Sequence, residues 1–209
     1  MSRIRLVVQA GLRSSILVLL ACALAAAANA ATTLENLQAA FNGESNAHAR
    51  YLAFAHQAES EGYGQVASLF RAAARAEEIH AGNHAAVIKE MGAVPQAHIE
   101  SPVVRTTREN LDAAIRGESY ERDIMYLEFL KQARSDRDTR AMRTLNLART
   151  AEIEHAKLFT AALSNLDQLK GTGGSVFYVC PVCGLTTSEV NFSKCPSCFN
   201  SRDSFEKVS

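Results

Sequence analysis

Apolar residues recur at intervals of three and four along four stretches between residues 34 and 166, which predicts four amphipathic helices. The pattern breaks at Gly62 in the first pair of stretches and at Ser135 and Asp136 in the second. A longer connection, from about Ala93 to Arg105, separates the two pairs. A connection of that length lets the second and third helices of a bundle run parallel, so we predict a four-helix bundle.

The two helical pairs are copies of one unit. Residues 32–45 read TTLENLQAAFNGES and residues 106–119 read TTRENLDAAIRGES, with ten of fourteen positions identical at an offset of 74. A second match, AEEIHA at residues 76–81 and AEIEHA at residues 151–156, follows at an offset of 75. Two matches at nearly one offset indicate a duplicated two-helix unit.

Acidic residues interrupt the apolar stripes at equivalent places in both halves, and two of them are followed one turn later by a histidine. The residues concerned are Glu44, Glu77, His80, Glu118, Glu121, Glu152 and His155. Glutamate rarely enters a protein core unpaired, because an isolated buried carboxylate costs several kcal/mol. Two divalent cations would balance most of this charge, so the set predicts a two-metal site.

The arrangement of these ligands resembles that of ferritin-like di-iron bundles, in which two helices give one Glu each and two give Glu-x-x-His. The spacing Glu-x-x-His places both side chains on one helix face. Surface acids that only look periodic would not explain two copies inside a duplicated unit. Mixed Glu and His ligands without cysteine favour iron or manganese over zinc or copper.

Four further side chains lie near the acidic stripes. Tyr51 comes seven residues after Glu44 and Tyr126 eight residues after Glu118, where they are either core aromatics or phenol donors beside the metals. His48 and His84 are interpreted as hydrogen-bonded bundle residues rather than ligands. His84 matches Phe159 in the other half, so a ligand role would break the symmetry of the repeat.

The C-terminal region carries a second candidate metal site. Its pattern C-x2-C-x11-C-x2-C is typical of a tetrahedral four-cysteine site, formed by Cys180, Cys183, Cys195 and Cys198. A Gly-rich segment at residues 169–175 precedes it and is predicted to be a flexible linker. A module of this size needs a metal or disulfides to fold, and the paired knuckles favour metal. The spacing leaves zinc, purely structural, and a single iron, which carries one electron, both open.

The first thirty residues differ from the rest. A basic start, a short apolar run and a small-x-small ending at Ala28–Ala30 predict a secretory signal peptide cut after Ala30, and hence an exported, periplasmic protein. A membrane anchor and a lipoprotein tether through Cys22 are the alternatives. The 22 basic and 22 acidic residues of the whole chain give zero net charge, which excludes a polybasic nucleic-acid binder.

Taken together, residues 32–209 resemble the rubrerythrin family. The resemblance implies a mainly α fold: a ferritin-like bundle over residues 31–168, then a small rubredoxin-like or zinc-ribbon-like β module over residues 176–209. It also implies a peroxidase activity that reduces hydrogen peroxide. Family members generally form head-to-tail homodimers, in which the four-cysteine iron of one subunit passes electrons to the di-iron site of its partner. The alternative is a ferroxidase or iron-binding bundle with a structural zinc ribbon.

The same resemblance implies a role for each site residue. Glu77 and Glu152 would bridge two irons, and the glutamates at positions 44 and 118 would be terminal ligands. His155 would bind one iron, while His80 and Glu121 would exchange at the other as its oxidation state changes. The tyrosines at positions 51 and 126 would lie just outside the ligands. Family members are mostly cytoplasmic, so a signal peptide leaves the electron donor unidentified.

Overall fold

The duplicated helical pairs predicted from the sequence are present in the computed structural model, which describes residues 31–209. Five α-helices form them: α1 (Thr33–Ser60), α2 (Gly64–Glu90), α3 (Thr107–Tyr120), α4 (Tyr126–Ser135) and α5 (Thr139–Ser164). A π-helical segment, Glu121–Met125, joins α3 to α4, so that α3, this segment and α4 are together the third helix of the bundle. The predicted mainly α class is confirmed.

The helix ends follow from local chemistry. Gly62 has a φ of +79°, a left-handed conformation that glycine adopts without steric cost, and it turns the chain from α1 into α2. Arg137 occupies the equivalent turn between α4 and α5 with a φ of 56°. The side chain of Asp138 caps α5 by accepting from two backbone N–H groups. Thr106 and Glu109 form a reciprocal capping box at the start of α3.

The predicted long connection lies along α1. Three amide side chains of α1, one turn apart, hold it: Gln38 bonds the backbone at residues 94 and 96, Asn42 at residue 98, and Asn46 at residues 98 and 100. The connection therefore runs in the same direction as α1 and returns the chain to the end where α2 began. As predicted, α3 consequently runs parallel to α2.

The π segment is a feature that helical periodicity did not predict. Within it, the backbone N–H of Tyr126 donates to the carbonyl of Glu121, five residues earlier instead of four. Arg149 on α5 donates from Nε to the Arg122 carbonyl inside the segment at 2.8 Å. A side chain from the neighbouring helix thus supplies a hydrogen bond where the regular backbone ladder is interrupted.

The C-terminal module is a three-stranded antiparallel sheet of order β2-β1-β3. Its strands are β1 (Phe177–Val179), β2 (Thr186–Thr187) and β3 (Glu206–Val208). In the register of the sheet, Val179 of β1 faces Thr186 on one side and Glu206 on the other. The four cysteines lie in the turns beside this sheet, and Leu185 and Phe205 pack against them.

This module is packed against the bundle of the same chain. Phe177 and Val179 join the core cluster of the bundle, and Leu147 of α5 packs against the cysteines. Arg75 of α2 makes a two-pronged ion pair with Glu206 of β3, at 2.7 and 3.0 Å. The bundle and the module consequently form a single compact unit, Thr33–Ser209.

The Gly-rich segment that joins them is attached to α2, which differs from the predicted flexible linker. Gly171 donates to the Gly62 carbonyl at 2.8 Å, and Ser175 donates to Ser68 Oγ at 3.1 Å. A Cβ at Gly64 would lie 2.6 Å from the Thr172 carbonyl oxygen, so the two backbones meet where only glycine fits. Composition indicated flexibility, but the tertiary contacts fix the segment.

The predicted signal peptide, residues 1–30, lies outside the described residues. Among the helices of residues 31–209, none combines the length and the apolar character that crossing a membrane requires.

Candidate metal centres

The bundle core brings together six of the seven acidic and histidine residues that the sequence singled out. Helices α1 and α3 contribute one glutamate each, and α2 and α5 each contribute a Glu-x-x-His pair; every one of these side chains is at most 1% exposed. They are Glu44, Glu77, His80, Glu118, Glu152 and His155. Each half of the repeat therefore supplies two glutamates and one histidine from the same places.

The six side chains form two overlapping groups. Glu44, Glu77, His80 and Glu152 offer ligand atoms within 4.8 Å of one another, and so do Glu77, Glu118, Glu152 and His155. Glu77 and Glu152 belong to both groups. Shared carboxylates are what two neighbouring metal ions need as bridges.

The two histidines point the same nitrogen into these groups. His80 Nδ1 lies 2.8 Å from Glu77 Oε2 and 3.1 Å from Glu152 Oε1. His155 Nδ1 lies 2.7 Å from Glu152 Oε2 and 3.2 Å from Glu77 Oε1. The unprotonated nitrogen of a neutral histidine is a metal ligand, and both Nδ1 atoms are placed for that role.

Buried polar atoms without hydrogen-bond partners converge here, which provides a test of whether the residues fit metal ions. The atoms are Glu44 Oε2, Glu77 Oε1, Glu118 Oε2, both carboxylate oxygens of Glu152, and His155 Nδ1. Buried polar atoms are almost always satisfied, so a convergent set of lone pairs indicates a missing positive partner. The set fits two cations, as the predicted two-metal site requires.

The pKa values of the carboxyls show the same excess of negative charge. Burial, together with the charges of Glu152 and Glu77, raises the pKa of Glu118 to about 8. Glu77 behaves oppositely: burial opposes its ionisation, but His155 and His80 hold its pKa well below the ordinary value. Without metal, the cluster must therefore hold protons that bound cations would displace.

The two predicted tyrosines bond the glutamates of the opposite half. Tyr51 on α1 donates its hydroxyl to Glu118 on α3, and Tyr126 on α4 donates to Glu44 on α1. Both phenols are buried, which raises their pKa values well above the ordinary range, so they remain protonated donors. The tyrosines thus orient the two glutamates that belong to only one group each.

His84 is hydrogen-bonded, as the sequence interpretation preferred. Its Nε2 lies 3.1 Å from the Tyr126 hydroxyl, and its Nδ1 lies 3.0 Å from Thr144 Oγ1. Burial, followed by the charge of His80, lowers its pKa to about 3, so the ring is neutral. His48 donates from Nδ1 to the Ala74 carbonyl at 2.8 Å, between α1 and α2.

Glu121 is the predicted ligand that the structure does not bring into either group. It is half-buried at the first position of the π segment, and burial together with the charges of Glu44 and Glu118 raises its pKa well above the ordinary value. Two residues were expected to exchange at one iron; of these, His80 belongs to a ligand group and Glu121 does not. Arg50, which the sequence reasoning missed, lies close by with its guanidinium 5.4 Å from the centre of the Tyr51 ring.

The four cysteines form the second centre. All four are free thiols, with Sγ separations of 3.5 Å for Cys180–Cys198 and 3.6 Å for Cys183–Cys195. A disulfide would require about 2.0 Å, whereas the sulfurs of a tetrahedral metal site with 2.3 Å bonds lie about 3.8 Å apart. The sulfurs therefore fit a metal and not the disulfide alternative.

The Cys180 thiol has the properties of a metal ligand. A hydrogen bond from Cys183, together with the backbone N–H groups of Val182 and Cys183, lowers the pKa of Cys180 to about 5 against the opposing effect of its burial. The thiolate is the form that binds metal, and N–H···S bonds tune the potential of an iron held there.

The two centres touch through two hydrogen bonds. His80 donates from Nε2 to the Cys183 carbonyl at 3.1 Å, and His155 Nε2 lies 3.1 Å from Thr186 Oγ1. Gly184 makes the approach possible, since a Cβ there would lie 2.2 Å from His80 Nε2. The resemblance implied that a partner subunit supplies the module, whereas here the module of the same chain occupies this position. The spacing of the cysteines gave no signal for the contacts of Gly184 and Thr186.

Comparison with known proteins agrees with these two centres. The sequence profile described as "Rubrerythrin" matches residues 35–163. Nigerythrin from Nitratidesulfovibrio vulgaris is 38% identical over 175 residues, which cover 83% of this chain and 85% of the relative. Rubrerythrin-2 from Clostridium acetobutylicum is 39% identical over 178 residues, covering 84% and 96% respectively.

The similarity extends to solved structures. A structure described as the fully reduced, all-ferrous state of nigerythrin superimposes with a TM-score of 0.78 at 37% identity, covering 85% of this chain and 87% of that one. A bacterioferritin from Desulfovibrio desulfuricans, at 24% identity and a TM-score of 0.63, shares the fold. With its duplicated ligand set and its four-cysteine module, the chain belongs to the rubrerythrin family.

Proposed function

We propose that the protein reduces hydrogen peroxide to water at the bundle centre, with electrons delivered through the four-cysteine centre. The observation that carries this proposal is the hydrogen bond from His80 to the Cys183 carbonyl. It joins a ligand of one centre to the backbone of a ligand of the other. A zinc ribbon that only stabilised the fold would not need to face the di-iron ligands.

The reaction requires two electrons and two protons, since H2O2 + 2H⁺ + 2e⁻ gives two molecules of water. When bound, two ferrous ions supply both electrons together, and an iron held by four thiolates supplies them one at a time. A single ferrous ion would give one electron and release a hydroxyl radical. The two kinds of centre on one chain therefore match the two kinds of step.

The residues around the bundle centre divide the remaining work. Glu77 and Glu152, shared by both groups, would hold two bound ions. Glu44 and Glu118 each complete one group, oriented by the tyrosine hydroxyls from the other half. Glu121, which lies outside both groups, is proposed to exchange with His80 when the oxidation state of a bound iron changes.

A directed chain of hydrogen bonds reaches the bundle centre from one side and can hold a proton there. The Thr144 hydroxyl donates to His84 Nδ1, His84 Nε2 donates to the Tyr126 oxygen, and Tyr126 donates to Glu44. Each member is at most 6% exposed, so the chain excludes water while it fixes the donor direction of the phenol. Peroxide reduction consumes protons at this place.

The proposal includes the surroundings of the protein. Residues 1–30 are proposed to be a signal peptide, which places the mature protein in the periplasm, where an unidentified donor reduces it. A homodimer, in which modules are exchanged between subunits, remains compatible with the docking seen within one chain. Intact mass of the exported protein should correspond to a chain beginning at Ala31, and a lipid adduct on Cys22 would contradict this.

The relay is tested by comparing one turnover with many. Cys198→Ser removes a thiolate ligand at the rim of the module and leaves the bundle ligands in place. Anaerobically reduced Cys198→Ser protein should consume peroxide once at the wild-type rate, while steady turnover with an external donor should be abolished. Ser197→Ala, at the neighbouring position, is the control and should preserve both.

Two results would reject the proposal. One is a reduced wild-type protein that reacts readily with oxygen but negligibly with peroxide. The other is zinc in the four-cysteine site of protein purified from its own compartment. Either outcome would favour the iron-handling alternative.

A further inference from the structure

The hydrogen bonds between the two centres end at two nearby residues of the module, Cys183 and Thr186. His80 Nε2 donates to the Cys183 carbonyl, while His155 Nε2 faces the side chain of Thr186. The histidines are equivalent in the duplicated bundle, yet one contacts backbone and the other a hydroxyl. The His155 contact can consequently be removed by one substitution.

The hydroxyl hydrogen of Thr186 is donated within the module. Thr186 Oγ1 lies 3.1 Å from the Gly184 carbonyl and donates to it. A hydroxyl carries a single hydrogen, so Thr186 Oγ1 can only accept from His155 Nε2 at 3.1 Å. In the neutral ring that binds metal, His155 therefore carries its single hydrogen on Nε2, which leaves the Nδ1 lone pair for a cation.

That lone pair faces the bundle centre. His155 Nδ1 has no hydrogen-bond partner among the described residues, and it lies within 3.7 Å of Glu77, Glu118 and Glu152. We propose that Thr186 is a positioning residue for the bundle centre: its hydroxyl fixes the tautomer and ring orientation with which His155 binds metal. Partners of this kind typically change metal affinity by about 10–100-fold.

The sheet and one glycine hold Thr186 in place. Thr186 is 1% exposed and is the first residue of β2, paired with Val179 of β1. Gly184 has a φ of +73°, and this turn brings its carbonyl to the Thr186 hydroxyl. The module is thus part of the bundle's metal site, a role separate from carrying electrons.

The inference rests on the bundle metal site and not on peroxide reduction, so its test measures metal binding. Full-length mature protein with a loaded four-cysteine site is titrated anaerobically with Co²⁺, which is visible optically. Thr186→Val keeps the branched shape and removes the acceptor; it should weaken one of the two bundle ions by about 10–100-fold. Thr186→Ser keeps the hydroxyl and should restore binding to near the wild-type level.

A matched control lies on the same strand. The hydroxyl of Thr187 bonds the Glu189 carbonyl, and Thr187→Val should leave Co²⁺ binding unchanged. Thr186→Ala removes the same hydroxyl without filling its volume, so it decides the question if Thr186→Val does not fold. Denaturant unfolding of each metal-free variant separates loss of affinity from loss of fold.

A spectroscopic signature distinguishes positioning from general loosening. In Co²⁺-loaded protein, each ligand histidine gives a paramagnetically shifted, exchangeable Nε2–H proton signal. Thr186→Val should speed solvent exchange of one such signal and leave the other unchanged. Wild-type affinity in Thr186→Val, or equal losses in the Ser and Val variants, would overturn the inference.

Discussion

The two halves of the bundle supply the same ligands but surround them differently. Tyr51 of the first half packs against Phe159, with ring centres 5.4 Å apart. Tyr126 of the second half meets His84 at the matching position, and His84 is bonded to Thr144. The ring of Tyr51 therefore packs against a phenyl ring, whereas the Tyr126 hydroxyl continues a hydrogen-bond chain. A duplicated unit can keep its ligands and still make the two sides of a metal centre chemically unequal.

The halves also differ by one residue in length at the third helix. Glu44 and Tyr51 are seven residues apart, whereas Glu118 and Tyr126 are eight apart. The extra residue is accommodated by the π segment that begins at Glu121. Both tyrosines still reach a glutamate of the opposite half, so the segment absorbs the insertion without moving the ligands on either side.

The largest expected effect tests the symmetry of the shared ligands. Glu77→Ala and Glu152→Ala should each lose both bundle ions, because each carboxylate belongs to both groups. Metal analysis should show a fall from about two ions per chain to none in either variant. The neighbouring exposed acids provide controls, since Glu78→Ala and Glu154→Ala should keep both ions. Retention of two ions in the Glu77 and Glu152 variants would disprove the assignment.

A smaller effect should follow from making the third helix regular. Deletion of Asp123, an exposed residue of the π segment, restores the seven-residue spacing of the first half. Glu121 would then occupy the position held by Ala47, which is 1% exposed, and overpacking should lower the free energy of unfolding by about 1–3 kcal/mol.

The same position provides the rescue for that deletion. Glu121→Ala in the shortened chain should recover most of the lost stability in denaturant unfolding, since alanine fits there in the first half. A shortened chain as stable as its parent, or one that Glu121→Ala fails to rescue, would show that the π segment is not needed to keep the Glu121 carboxylate out of the core.

The smallest effect concerns the equivalent turns at Gly62 and Arg137. Both have left-handed backbone, with φ values of +79° and 56°. Gly62→Ala should lower the free energy of unfolding by about 1 kcal/mol, and Arg137→Gly should raise it by up to about 1 kcal/mol. A Cβ at Gly62 would meet nothing within 4 Å, so the backbone conformation alone determines the change in stability. Thermal unfolding measures both, and changes of the same sign would contradict this reasoning.

Much of the bundle could be predicted because its signals are local or repeated. The breaks at Gly62 and Ser135, and the acids on apolar stripes, follow from helical periodicity and from the cost of burying charge. The π segment was also visible in principle, since the offset between the halves rises from 74 to 75 across it. Helical periodicity alone, however, does not predict which backbone conformation accommodates the additional residue.

The contacts between the two centres could not be predicted from the chain. Thr186 and Gly184 acquire their roles only when the module docks on the bundle, where Thr186 meets His155 and the Gly184 backbone approaches His80. The glycines before the module suggested flexibility, whereas their small size serves a close approach at Gly64. Composition indicates how flexible a segment is in isolation, but contacts with neighbouring residues determine whether it is flexible in the folded protein.

The crossed tyrosine bonds have a consequence for the ancestry of the protein. Tyr51 donates to Glu118 and Tyr126 donates to Glu44, so each half donates one hydrogen bond to the other and accepts one from it. The self-complementary interface of a twofold homodimer has the same reciprocity. One helical hairpin contains every part of the centre once, and two facing copies complete it. Fusion of two copies of one hairpin, paired about a twofold axis, would produce this arrangement, and the covalent link would let each copy diverge without losing its partner.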